Sequence, residues 1–263
     1  MGWSYLGILF ILSLIGCLPG FKKFVYFLSI GYGLSVALVG AGLIGMQLMG
    51  TLTGNILTYL LSIVLVGYGI RLSGFLIIRE WKRAGYKKVF KEVAGKDKLP
   101  LPITLVMWPV LGVLYVSFCC PVYFRLYNNG GNTMLGWVGL VISIIGIALE
   151  AWADIQKSNQ KAVRPDMVAK EGLYKMCRCP NYFGEILVWT GMLVGCLDIL
   201  QGALQIVTVL IAWVSIVYIM FNGAQRLEKR QNARYKGMPE YDEYVNKTPI
   251  IIPFLPIYHL NKD

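Results

Sequence analysis

The sequence has few of the residues that bind metals or cover a soluble surface. It contains one histidine, His259, and no two cysteines separated by two residues, so no metal site is expected. Charged residues are 15% of the chain and hydrophobic residues 56%, which leaves too little polar surface for a soluble domain of this length. The apolar stretch up to Cys17 is not preceded by the basic residues of a secretory signal. These absences favour an integral membrane protein whose apolar N-terminus is a membrane helix.

Long apolar runs dominate what is present. A membrane helix needs about 20 mostly apolar residues, and seven runs approach or exceed that length. They cover roughly residues 3–19, 25–48, 56–78, 102–120, 134–153, 183–199 and 202–222. The sequence therefore predicts an all-α, multi-pass membrane protein with about seven transmembrane helices. Residues 1–263 would form one membrane domain that ends in a basic tail over 223–263.

Basic residues are distributed unevenly between the two ends of these helices. The net charge is +11, and with seven spans 23 of the 25 lysines and arginines fall on one side, in segments 20–24, 79–100 and 154–182 and in the tail. Cytosolic loops carry such an excess, so we predict the N-terminus outside and the C-terminus in the cytosol. This pattern indicates contact with membrane lipids and not with nucleic acid, and nothing in the sequence implies a protein partner.

Small residues recur in the second run. Ala37, Ala41 and Gly45 follow one another every four positions, so they should lie on one stripe and allow a neighbouring helix to approach closely. Gln47 is the only strongly polar side chain in this run.

Several charged residues lie inside or at the ends of the apolar runs, where charge is costly. Arg71 follows Tyr68 by three residues in the third run and should find a partner or a polar cavity. Glu150 and Asp154 lie one helical turn apart where the fifth run ends, with Lys157 and Lys161 beyond. This stripe is either a set of ion pairs at the membrane boundary or a polar wall that faces a ligand.

The segment from Arg178 to Glu185 has the features of an anion site. Pro180 suits the first turn of a helix, and the free N–H groups of that turn, with Arg178 just before them, favour a phosphate or carboxylate. Asn181 and Glu185 lie one turn apart on one face. The residues predict a polar, anion-binding mouth at the cytosolic rim of the membrane, but they do not select a reaction.

Four segments in order resemble the steroid 5-alpha-reductase C-terminal domain family and its bacterial relatives of unassigned function. GLYKMCRCPNYFGEILVWTGM, which begins at Gly172, resembles the signature G-x-[WY]-x-x-x-R-H-P-N-Y-F-G-E followed by a tryptophan. YGIRLSGFLIIR, EAWADIQK and LEKRQNARY with YDEYVNKTPIIIPF resemble three further segments of the family. The resemblance extends from about residue 60 to the C-terminus. It implies a seven-helix membrane reductase that uses NADPH.

The resemblance also implies roles for individual residues. Tyr68 would be the catalytic phenol that polarises the carbonyl of an enone in a lipophilic, steroid-like or isoprenoid substrate drawn from the bilayer. The dinucleotide site would be lined by Arg71, Asp154, Arg178, Asn181, Tyr182, Glu185 and Tyr235. Two positions depart from the family: Cys179 replaces the histidine after the arginine, and the glutamate that steroid reductases carry in helix two is absent. The second departure weakens the case for a 3-keto-steroid substrate.

Two other functions remain open. Isoprenylcysteine and phospholipid methyltransferases, which use S-adenosylmethionine, share a similar Arg-His-Pro segment and a downstream glutamate, although the asparagine after Pro180 favours the reductase. A lipid-binding membrane protein with an inherited but idle polar mouth is the third possibility. The short chain and its likeness to bacterial relatives predict a bacterial plasma membrane.

Overall fold

The structure is a computed structural model that describes residues 2–84 and 100–261, and over these residues the chain is helical without strands. Its helices are α1 (Trp3–Cys17), α2 (Phe24–Phe27), α3 (Ile30–Leu48), α4 (Ile56–Ala84), α5 (Leu101–Tyr127), α6 (Met134–Val163), α7 (Pro180–Val194), α8 (Gly202–Tyr235) and α9 (Pro239–Lys247). Most of the basic loop predicted over 79–100 lies outside the described residues. The chain forms two compact units, one of Met1–Leu140 with Met192–Ala212 and one of Val141–Gly191 with Trp213–Asp263.

The prediction of an all-α, multi-pass membrane protein is confirmed, but the count of seven spans is wrong. Six segments of the described helices are long and apolar enough to cross a membrane: Ser4–Phe21, Phe24–Leu48, Ile56–Arg79, Leu101–Tyr127, Met134–Val163 and Gly202–Tyr235. The remaining run, 183–199, corresponds to α7, which has 15 residues. At 1.5 Å per residue it is about 22 Å long, shorter than the roughly 30 Å hydrocarbon core.

In the first unit, α3 and α4 approach closely because glycines face each other. A Cβ on Gly69 would collide with the carbonyl oxygen of Gly33 and would lie 2.8 Å from the Cβ of Ala37. The stripe predicted from Ala37, Ala41 and Gly45 is therefore only partly right. Ala41 is exposed, and nothing lies within 4 Å of a Cβ built on Gly45. The contact line runs through Gly33, Ala37 and Gly40 instead, because steps of four and then three residues stay on one face of a helix, whereas repeated steps of four leave it.

Buried hydroxyl groups join the helices of this unit to one another. Ser13 of α1 donates to the carbonyl of Gly112 in α5 at 3.0 Å, and Ser35 of α3 donates to the carbonyl of Ser13 at 2.8 Å. Ser73 of α4 donates to the carbonyl of Ile30 at 2.9 Å. Such bonds stabilise helix contacts in a lipid environment, where apolar surfaces give little driving force for association.

Arg125 connects two segments of this unit. It is fully buried. Its NH1 donates to the carbonyl of Gly195 at 2.7 Å and to Asp198 at 3.1 Å, and its NH2 donates to the carbonyl of Gly131 at 2.7 Å and to Thr133 at 2.5 Å. The guanidinium therefore holds the α5–α6 loop against the turn that follows α7.

In the second unit, parts of α6, α7 and α8 lie side by side and alternate in direction. A Cβ on Gly184 of α7 would lie 2.8 Å from the carbonyl oxygen of Gly146 in α6. The other contacts that define this order are Ser143 to Val188 at 3.0 Å and Trp213 to Thr190 at 2.9 Å. Although α7 is short, it reverses the chain direction. The end of α6 and the end of α8 therefore lie together, and Lys161 donates to the hydroxyl of Tyr235 at 3.1 Å.

The tail beyond α9 folds back onto this unit. Ile250 and Ile251 are buried, and the Ile250 amide donates to the carbonyl of Ile257 at 2.8 Å. The described residues after Lys247 form no helix. Residues 258–261 then reach the α8 surface, where they become part of the candidate site.

Candidate functional site

Tyr68 lies on α4 in an aromatic and fully buried environment. Its hydroxyl is 3.1 Å from the hydroxyl of Tyr32 on α3, and the two rings meet edge to face with centroids 6.1 Å apart. Tyr115 and Phe118 of α5 pack on the Tyr32 ring, with centroid distances of 5.0 and 6.0 Å. The phenol pair is therefore shielded from bulk water, and a hydrogen bond in such surroundings is electrostatically stronger than one in water.

Arg71 lies one helical turn beyond Tyr68 and is only partly buried. Its guanidinium carbon is 6.0 Å from the ring centroid of Phe75, a distance at which a cation is attracted to an aromatic face. Arg79 lies over the same ring at 5.8 Å. The Phe75 ring thus stabilises two cations of α4.

Gln47 does not take the place of the missing helix-two glutamate. Its amide donates to Ser62 at 3.2 Å and accepts from Thr58 at 2.9 Å, so its partners lie near the start of α4. Thr58 precedes Tyr68 by ten residues, or about 15 Å along the helix. The polar side chain of α3 that stands beside Tyr68 is Tyr32.

Arg178 of the second unit is buried and paired with a residue that the sequence did not single out. Its NH2 donates to Oε1 of Glu228 on α8 at 2.7 Å and also to the carbonyl of Tyr258. Its backbone N–H donates to the carbonyl of Pro249 at 2.8 Å. Its Nε is buried and has no hydrogen-bond partner among the described residues. Arg178 is therefore held between α8 and the tail, with one donor left over.

Glu228 is the centre of this network. Oε1 also lies 3.2 Å from Nδ1 of His259, while Nε2 of that ring is 3.1 Å from the amide oxygen of Asn246. Oε2 accepts from the amides of Leu260 and Asn261 at 2.9 and 3.0 Å and from Nδ2 of Asn261 at 2.8 Å. A single carboxylate thus holds the last described residues of the tail against α8.

Helix α7 begins at Pro180, as predicted, and its first turn carries Asn181 and Tyr182. Both side chains are partly buried. The Tyr182 ring comes within 3.3 Å of a Cβ built on Gly223, so that glycine lets α8 approach the start of α7. Glu185 is buried one turn further along.

The acidic residues of α6 are buried, but the predicted stripe is divided. Glu150 and Asp154 are both buried, and a Cβ on Gly184 would lie 2.8 Å from the backbone nitrogen of Glu150. Lys161 instead points to the turn after α6, where it donates to the hydroxyl of Tyr235 at 3.1 Å and to the carbonyl of Met167.

Tyr174 is buried against the second half of α6. Its hydroxyl donates to the carbonyl of Ala153 at 3.2 Å, and its own carbonyl accepts from the hydroxyl of Tyr244 on α9 at 2.7 Å. Burial raises the pKa of the Tyr174 phenol, and the nearby charge of Asp154 adds to the effect. Tyr174 is therefore a neutral donor that fixes the 172–175 turn.

Tyr235 is a packing residue in this structure. It is buried in a cluster with Met167, Val168, Tyr241 and Val245, and its ring centroid lies 5.7 Å from that of Tyr241. The cluster attaches α9 to the segment after α6. The cofactor role that the resemblance implies for Tyr235 stays a prediction.

Cys179 stands where the family signature has histidine. It is buried, and burial raises the pKa of its thiol to about 11, although Lys157 and Arg178 oppose this shift. The side chain is therefore a neutral thiol at physiological pH. No group of three metal-binding side chains occurs among the described residues.

The predicted site residues are divided between the two units. Tyr68 and Arg71 belong to the first unit. The second unit holds the other six, Asp154, Arg178, Asn181, Tyr182, Glu185 and Tyr235. Of these, Arg178 contacts α8 and the tail, and Tyr235 contacts the end of α6 and α9. The assignment of all eight residues to a functional site stays a prediction.

Comparison with known proteins places this chain in a family. One family profile matches residues 23–248. The chain belongs to the DUF1295 family, described as proteins of unknown function. The steroid 5-alpha-reductase DET2 of Gossypium hirsutum is 24% identical over 134 residues, which cover 47% of this chain and 45% of that relative. The match thus spans less than half of the relative, and no solved structure matches the chain.

Two polar residues of this DUF1295 protein were not predicted from the sequence as parts of a site. Tyr32 opens the small-residue run of α3 and carries no signal that separates it from the other tyrosines. Glu228 does carry a signal in the sequence, since it is the single acidic residue in the stretch QRLEKR. An acid among four polar or basic neighbours on a helix that leaves the membrane is a candidate partner for a buried arginine.

Proposed function

We propose that this DUF1295 protein is a membrane-embedded, NADPH-dependent reductase of a C=C bond conjugated to a carbonyl in a lipophilic substrate. The observation that carries the proposal is the Tyr68 hydroxyl. It is fully buried on a candidate membrane span, where it is paired with Tyr32 within an aromatic cluster. The similarity to a steroid 5-alpha-reductase supports the choice of reaction.

Tyr68 acts as the hydrogen-bond donor to the substrate carbonyl oxygen. NADPH, when bound, supplies the hydride that adds to the β-carbon, and a proton added at the α-carbon completes the reduction. Negative charge develops on the carbonyl oxygen during this addition, and a fixed donor in a water-poor site stabilises it. Either hydroxyl of the pair can be the donor; with Tyr32 donating to the Tyr68 oxygen, the Tyr68 proton would be directed at the substrate.

The phenol that Tyr32 places beside Tyr68 bears on the substrate. A pair of phenols has no charge to match a cationic group, so it suits a neutral carbonyl. The surrounding rings of Tyr115 and Phe118 suit an apolar body. We therefore expect a neutral isoprenoid or steroid-like enone that enters from the bilayer.

The second unit has donors that fit an anionic dinucleotide. Arg178 keeps one buried Nε without a partner among the described residues, and Arg226 and Arg230 lie near Tyr182 at the start of α7. Cations at a helix start favour phosphate groups. Arg178 and these arginines would hold the phosphates, and Asp154, Asn181, Glu185 and Tyr235 of the same unit are proposed to line that site.

We place this end of the second unit in the cytosol, where NADPH is found. The basic 154–182 segment and the tail lie together because α7 reverses the chain, and a basic excess is typical of cytosolic segments. Because α7 returns the chain between α6 and α8 although it is too short to be one of the six candidate spans, the N-terminus would lie on the opposite face, outside a bacterial plasma membrane.

Ligand-dependent melting of the purified protein tests the proposal. A ligand that binds only the folded protein raises Tm, so NADPH should raise it more than NADH or S-adenosylmethionine does. Tyr68→Phe should keep the NADPH shift but lose roughly 10²–10⁴-fold in enone-dependent NADPH oxidation. Tyr115→Phe is the matched control, because its hydroxyl donates to the carbonyl of Phe27 at 2.9 Å and serves the fold.

The same experiment distinguishes the other functions. A Tm shift with S-adenosylmethionine and none with NADPH would identify a methyltransferase. No shift with any cofactor, and no oxidation of NADPH with either an enone steroid or an isoprenoid enal, would leave a non-catalytic lipid-binding protein.

A further inference from the structure

A short apolar loop of the C-terminal tail projects from the second unit. Phe254 is 93% exposed, and Leu255 and Ile257 are 44% and 38% exposed. All three lie outside the six candidate membrane spans, so the lipid that surrounds the spanning helices does not account for their exposure.

A backbone hydrogen bond and a buried side chain attach the base of the loop to the second unit. The Ile250 amide donates to the carbonyl of Ile257 at 2.8 Å, and Ile251 beside it is fully buried. At the tip, Phe254 has a φ of 68°, which is unfavourable for a residue with a Cβ. A large ring that is presented outward on such a backbone indicates a partner outside the chain.

The tail is attached at the depth where α8 leaves its apolar region. The side chain of Gln225 donates to the carbonyl of Leu260 at 3.1 Å, and the backbone carbonyl of Gln225 accepts from the Asn261 side chain at 3.0 Å. The long apolar run of α8 ends at Phe221, four residues or about 6 Å earlier along the helix. The loop therefore starts from the level of the lipid headgroups.

We propose that residues 252–257 form a membrane-interface anchor, in which Phe254, Leu255 and Ile257 insert into the bilayer that the helices span. Aromatic and aliphatic side chains are favoured at this depth. The residues that follow, 258–261, cover the Arg178–Glu228 pair, so insertion of the loop holds that cover in place. The proposal does not depend on the catalytic activity.

Spin labels measure the depth directly. Phe254→Cys and Leu255→Cys proteins would be labelled and reconstituted in phosphatidylcholine vesicles; the six native cysteines are buried and should react slowly. Glu243→Cys is the matched control, because the Glu243 side chain is 67% exposed on α9. Tyr241 of α9 bonds to Asn232 at 2.6 Å, and Asn232 lies seven residues beyond Gln225, or about 10 Å further from the apolar run.

Labels at 254 and 255 should be more accessible to oxygen than to a polar nickel chelate, and the label at 243 should show the reverse. The same chelate preference at all three positions would overturn the proposal. A second measurement uses Phe254→Ser and Phe254→Leu. Only the serine should speed hydrogen exchange of the Ile250 amide, by about threefold or more, and equal exchange in all proteins would also count against the anchor.

Discussion

Glu228→Gln should release the end of the C-terminal tail from α8. If the new amide nitrogen takes the place of Oε1, it faces the Arg178 guanidinium, which donates there at 2.7 Å. If it takes the place of Oε2, it faces the backbone amides of Leu260 and Asn261, which donate at 2.9 and 3.0 Å. In either orientation a donor meets a donor, and Arg178 loses its buried counter-charge.

The size of the effect follows from this burial. Removing one partner of a buried ion pair costs about 3–5 kcal/mol, and glutamine retains some of the hydrogen bonds, so we expect about 3 kcal/mol. Since 1.4 kcal/mol is a factor of ten, the equilibrium for opening the tail should rise by about 150-fold. Hydrogen exchange of the Leu260 and Asn261 amides, followed by mass spectrometry in lipid nanodiscs, measures this directly.

A matched control separates this effect from a general loss of charge. Glu243→Gln removes an exposed carboxylate whose bond to Lys247 spans one helical turn at 2.8 Å, and such pairs contribute about 0.3–0.5 kcal/mol. It should leave tail exchange unchanged. A change of less than about threefold in Glu228→Gln would refute the view that this carboxylate holds the tail.

Further changes test other parts of the fold. Gly184→Ala should lower Tm because its methyl group would meet the backbone of Glu150 at 2.8 Å, whereas Gly74→Ala, with nothing within 4 Å, should raise stability by up to about 1 kcal/mol. Arg125→Met should cost at least about 3 kcal/mol in denaturant unfolding, because it leaves the acceptors of a buried cation unpaired. Hydrogen bonds from Arg164 and Lys170 lower the pKa of Glu240 from 4.5 to about 2. The contribution of the ionised Glu240 carboxylate to folding stability is therefore complete above about pH 4.5 and is lost as pH falls toward 2. The Tm difference between wild type and Glu240→Gln should shrink over that range.

The membrane character of this protein could be read from the sequence alone. A segment that crosses the hydrocarbon core must be long and apolar and must satisfy its backbone hydrogen bonds internally. Each of the six spans is therefore recognisable from its length and composition. Pro180 marked the start of α7 for a similarly local reason, since its ring suits a first turn. The prolines near Phe254 also act locally, since a proline ring is unfavourable inside a helix.

The prediction of a seventh span was wrong because composition indicates hydropathy and not helix length. Residues 183–199 are apolar, but the helix ends at Val194. Just beyond it, Arg125 donates hydrogen bonds to the carbonyl of Gly195 and to the Asp198 carboxylate. The family pattern had selected Tyr68 and Arg178 without showing what lies beside them.

Only the tertiary structure decided which side chains meet. Tyr32 stands beside Tyr68 because Gly33 and Gly69 bring α3 and α4 together, and Glu228 meets Arg178 because α7 reverses the chain and the tail folds back. Both pairs join residues that are 36 and 50 positions apart. Local propensity and hydropathy act over a few turns of helix, whereas pairings at that separation depend on how whole helices pack.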